Sequence, residues 1–214
     1  AKTYPGGGLL LSPLLAIMAT AFAVICPFFI LGNASGHDFE FHMNSWIEVL
    51  GQWHQGIIWP RWAALAQFGY GEPRFIFYPP ASWLLGGALG AALPWRVVPG
   101  AYIWIALTLA GGSMFLLARQ WLPRRDAIFA AAVYAANPYH LVIVYWRSAM
   151  AELLVAALLP LLLLCVRMRP LWPGEAVALD VGALRILMAE RTLQLARHLL
   201  MDTIVVRVWN RTHF

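Results

Sequence analysis

His37, Asp38, Glu40 and His42 stand close together in "SGHDFEFHMNSW", directly after a long apolar run that carries no charge. A carboxylate in that position can take a proton from, or orient, an attacking hydroxyl. Carboxylates beside imidazoles are also the ligand types of a divalent metal site. His37 and His42, at i and i+5, do not share a helix face, and no HExxH pattern is present, so the residues admit a metal without requiring one. Glu40 suits the first turn of a helix, where the dipole favours an acid. That leaves Asp38 as the catalytic candidate, with His37 and Glu40 beside it as candidate substrate contacts.

Two further stretches carry chemistry. In "GYGEPRFIFYPP", Gly69 and Gly71 permit tight turns and Pro79-Pro80 start a helix. Arg74 and Tyr78 lie on the bend between them, and a guanidinium there can clamp a phosphate through two parallel hydrogen bonds. In "YWRSAMAE", Arg147 and Glu152 lie at the end of an apolar segment, where ionisable groups are costly and point to function. Snorkelling of Arg147 is the structural alternative. At i, i+5 the two are not an ideal helical pair. His140 is polar in an apolar setting and reads as a packed core residue rather than a tetrapyrrole ligand.

These residues need elements that hold them at one level. The chain is 61% hydrophobic and 12% charged, against about 25% charged in an ordinary soluble domain. Too few charges remain to coat a water-facing surface, and the expected class is an all-α integral membrane protein. A transmembrane helix needs about 20 apolar residues, and four segments approach this: 9–31, 98–118, 127–146 and a shorter one over 153–166. The first reads as a retained anchor rather than a signal peptide. Pro79–Leu93 is apolar but short and glycine-rich, and reads as re-entrant or interfacial. Asn137-Pro138 should kink the third span. Cys26 and Cys165 lie in apolar runs and act as small hydrophobes.

Arginine and lysine placement selects the topology. If Pro79–Leu93 does not cross, Lys2, "RQWLPRRD" and "VRMRP" all fall on the cytoplasmic side. Residues 32–97 then form a long outer loop, and Asp38, Arg74, Tyr78, Arg147 and Glu152 share the outer face of a multi-pass inner-membrane protein. Within that loop Met43, Trp46, Ile47, Leu50 and His54 fall at helical spacing and predict an interfacial helix with those residues on its apolar face. Residues 1–169 form the membrane module, and 170–214 read as a cytoplasmic amphipathic tail. The net charge of +5 comes from arginines that punctuate apolar segments, so the expected partner is the lipid bilayer, not nucleic acid.

The order of these motifs resembles the GT-C superfamily of polytopic glycosyltransferases: an acid after the first span, then "PRW…GYGEPRFIFYPP", then "NPYH…YWRSAMAE…LLP". In pattern the chain is most similar to bacterial membrane proteins labelled 6-pyruvoyl-tetrahydropterin-synthase-related, over roughly residues 9–169. The resemblance implies a GT-C-like N-terminal half and a sugar donor linked to polyprenyl phosphate. It also implies that Asp38 acts as base or acceptor-orienting acid, that Arg74 contacts the donor phosphate, and that Arg147 and Glu152 are further site residues, Glu152 as a second catalytic candidate and Arg147, like Tyr78, as a substrate contact. GT-C modules carry more spans than this chain offers. The short fourth span and extra cytoplasmic helix therefore also suit a non-catalytic accessory subunit with membrane-protein partners. A transporter is a third reading, without the inverted repeat that would support it.

Overall fold

In the computed structural model, residues 8–168 are described. Residues 1–7 and 169–214 lie outside them, including the amphipathic tail expected over 170–214. Among the described residues the fold is all-α, with no strand; an isolated antiparallel bridge joins Ala63 and Glu72. Four helical stretches are long and apolar enough to cross a membrane: Ser12–Leu31, Val98–Ala118, Arg124–Arg147 and Met150–Arg167. They correspond to the four expected spans. The fourth is longer than the sequence suggested, because the helix starts before Glu152 instead of after it.

The first span comprises α1 (Gly8–Ile25) and α2 (Phe28–Leu31), broken at Cys26-Pro27. Proline disfavours helix in the residue before it and offers no N–H of its own. Gly32, at φ 83°, ends the element while donating its N–H to the Phe28 carbonyl. The second span, α6 (Val98–Ala118), packs against α1, α7 (Arg124–Ala135) and α9 (Met150–Met168). Being apolar all round, it can be buried on several sides. Two of its polar groups cross to neighbours: Ser113 donates to the Ala157 carbonyl at 2.6 Å and Trp104 to that of Met18 at 3.1 Å. At Gly111 a side chain would collide with Ile17, so the glycine sets the close approach of α1 and α6.

The third span kinks as its Asn-Pro pair predicts. Asn137 accepts the His140 N–H at 3.0 Å and donates to the Tyr134 carbonyl at 2.6 Å. It thereby caps α8 (Pro138–Val142) after the break. A π-helical turn over Ile143–Arg147 follows, then Ser148 at φ 53°. His140 is buried and its Nδ1 lies 3.2 Å from the Ala135 carbonyl, which places it in the core.

Between the first two spans, α3 (Phe39–His54) packs on α5 (Pro80–Ala92), the short apolar segment, which is not among the candidate spans. A short helix, α4 (Arg74–Phe77), precedes α5. The indole of Trp46 lies on Gly86, where any Cβ would collide with its ring, and stacks on Tyr102 at 4.8 Å. The buried face of α3 is His42, Ser45, Trp46, Glu48 and Val49. Of the positions expected on the apolar face, Met43, Trp46, Ile47, Leu50 and His54, Trp46 belongs to that buried face and Met43 packs against it, while Ile47 is exposed. His42, Ser45 and Glu48 join the buried face because each has a hydrogen-bond partner, which keeps the cost of burying them small.

Candidate functional site

The site lies at the end of the bundle where α2 stops and α6 and α9 begin. Gly36 donates to Ser148 Oγ at 2.9 Å, His37 N–H to the Trp146 carbonyl at 3.3 Å, and Asp38 N–H to the Arg147 carbonyl at 2.8 Å. Ser148 Oγ in turn donates to the Ala34 carbonyl at 3.2 Å. Residues 34–38 are thus fastened along the turn that precedes α9. Only glycine serves at position 36, because a Cβ there would fall on the Trp146 carbonyl oxygen.

This clip sets Asp38 beside the turn carrying Arg147. Asp38 occupies the position before α3 but makes no side-chain cap; its Oδ1 accepts from His37 Nδ1 at 2.7 Å. The Asp38 side chain is partly exposed and that of His37 almost fully so. Arg147 Nη1 meets Glu152 Oε2 at 2.8 Å, and Tyr139 donates its hydroxyl to Glu152 Oε1. The i, i+5 spacing that argued against this ion pair assumed one continuous helix. The break at Ser148 removes that constraint.

Beneath these groups lies His42, which is 1% exposed. Its Nε2 accepts the Met150 N–H at 3.1 Å, one of the amides at the start of α9 that lacks a helical partner. That bond assigns the neutral ring with its proton on Nδ1. Burial pushes the His42 pKa down to about 4; Asp38 opposes the shift and Arg74 adds to it. The Tyr78 hydroxyl lies 3.5 Å from Nε2 and its ring packs on Phe41. Burial raises the Tyr78 pKa, and the carboxylates of Asp38 and Glu152 raise it further. Asp38, His42, Tyr78, Arg147 and Glu152 therefore form one cluster, drawn from α3, the loop before α5, and the α8–α9 turn.

Arg74 borders this cluster as a fixed charge. Its Nε meets Glu72 Oε1 at 2.5 Å, its Nη1 donates to Ser45 Oγ at 2.9 Å, and its guanidinium covers the Phe41 ring at 4.3 Å. Hydrogen bonds from Gln67 and Arg74 hold the Glu72 carboxyl below its usual range. Glu72 itself is positioned by the backbone bridge to Ala63, and the loop by Leu65 donating to the buried Glu48. Gly69 and Gly71, at φ 91° and 76°, make the expected turns. Glu40 is exposed in the first turn of α3. Among the described residues no three His, Cys, Asp or Glu side chains converge as a metal site.

Sequence reasoning left His42 unassigned and passed over Gly36, Tyr139 and Ser148. Asp38, His42 and Ser45, at i, i+4 and i+7, repeat along one helical face, and that spacing was the available signal. No protein-family model, curated protein or solved structure matches this chain, so the likeness to GT-C enzymes rests on the motifs quoted above.

Proposed function

We propose that this is a GT-C-like, multi-pass membrane protein of the bacterial inner membrane, with the Asp38 cluster on the outer face. The basic end, with Arg119, Arg124, Arg125 and Arg167, then lies in the cytoplasm. The proposed reaction is transfer of a sugar from a polyprenyl-phosphate donor. What supports it is the convergence of Asp38, Tyr78, Arg147 and Glu152 from segments far apart in sequence. In this reading Asp38 orients or deprotonates the acceptor hydroxyl. Arg147 offsets charge on the departing phosphate, while Arg74, paired with Glu72 and bonded to Ser45, orders the loop beside the cluster. Glu152 and Tyr139 hold Arg147 in place, and His42 supports the floor. The test is Asp38→Asn in proteoliposomes: sugar transfer from the lipid-phosphate donor is lost while membrane insertion is kept. Unchanged transfer overturns the proposal.

An accessory-subunit reading draws on a different observation. Ile17, Leu109, Gly112, Phe115 and Leu161 line an apolar groove of about 590 Å³ between α1, α6 and α9. A helix of a larger complex would fill it. Extraction in mild detergent would then recover a stoichiometric membrane partner, and a lone monomer counts against this reading.

A further inference from the structure

A second groove, of about 700 Å³, opens between the end of the first span and the start of α6. Its volume falls in the range of about 300–1,000 Å³ that small-molecule clefts occupy. Its walls are the rings of Phe22, Phe28, Phe29 and Trp104, and Gly100 leaves its floor low. A Cβ at Gly100 would meet only Phe28, at 3.9 Å, so the floor has room above it. At the mouth stands Arg96, exposed and without an ion pair among the described residues. Asn33 donates to the Arg96 carbonyl at 2.8 Å, fixing the loop from which the guanidinium projects. No carboxylate lines the groove.

Both lining spans terminate at this level, α2 at Leu31 and α6 at Val98. In a spanning protein that is where hydrocarbon gives way to headgroups. The apolar trough therefore runs toward the bilayer core while its one cation sits at headgroup depth. We infer that this groove holds a single anionic phospholipid of the surrounding bilayer, one acyl chain along the Phe–Trp walls and its phosphate on Arg96. The charge decides the occupant: a guanidinium with no counter-charge in its groove is complementary to a lipid phosphate, which carries the acyl chain that the walls require. This inference is independent of sugar transfer, since none of these residues belongs to the Asp38 cluster.

Native mass spectrometry of the full chain in mild detergent tests it, with phosphatidylglycerol and phosphatidylcholine of identical acyl chains as probes. The expected result is one retained lipid, with phosphatidylglycerol preferred about fivefold, the effect of one arginine at an anionic membrane surface. Arg96→Gln should reduce phosphatidylglycerol retention to the phosphatidylcholine level, and Gly100→Leu should weaken both by filling the floor. Equal retention of the two lipids, or a preference that survives Arg96→Gln, overturns the inference. So does recovery of a second protein chain on this face in place of lipid. If Gly100→Leu does not fold, the exposed Arg96→Gln variant decides alone.

Discussion

Acidification from pH 7 to pH 4 is expected to loosen the joint between α3 and α9, because buried His42 Nε2 accepts the Met150 N–H, which it shares with the Ser148 carbonyl. In the unfolded chain this imidazole titrates at 6.5; in the fold burial holds it near 4. A base depressed on folding lends its stability above the unfolded value and loses it as pH falls from 6.5 to about 4, where the unfolded state binds the extra proton. At about 1.4 kcal/mol per pKa unit, the difference amounts to about 3 kcal/mol. The assay is thermal unfolding in a fixed detergent at a series of pH values, comparing wild type with His42→Gln. Glutamine keeps a hydrogen-bond acceptor but does not titrate. The variant should be less stable at pH 7 and show a flatter fall across this window. Parallel pH curves for the two proteins, or a His42 proton resonance that titrates near 6.5, would refute the reasoning.

Two other outcomes follow from the packing. Gly86→Ala should destabilise by about 1–3 kcal/mol, since the new methyl has no space beside the Trp46 ring; an unchanged melting temperature and Trp fluorescence would show that α3 and α5 are not in close contact. A double-mutant cycle on Arg147 and Glu152 should give a coupling below about 1 kcal/mol, because their side chains are 44% and 34% exposed; a larger value would mean that water is excluded from the Asp38 cluster.

How far the residues announced this arrangement depended on what kind of force was involved. The spans were readable because length and apolarity alone decide whether a helix can cross a bilayer, and the break at Asn137-Pro138 because proline chemistry is local. The protein-facing side of α3 was not legible because His42, Ser45 and Glu48 look polar in sequence, yet each is satisfied by a distant partner: Met150, Arg74 and Leu65. The Arg147–Glu152 pair was discounted for a similar reason. Spacing rules presuppose an unbroken helix, and Ser148 in a left-handed conformation breaks it. Asp38 was singled out from its place after the first span. That it would be fastened to the Trp146–Ser148 turn depends on Gly36, whose missing side chain leaves no mark on hydropathy.

That fastening also orders events during synthesis. Gly36 and Ser148 are 112 residues apart. At a translation rate of roughly 5–20 residues per second, the first half of the clip waits on the order of 10 s for the second. Through that interval Asp38 and His42 have left the ribosome without the partners that fix them. The cluster is assembled only when the fourth span emerges, so the polar end of this protein is organised by the last described segment to be made.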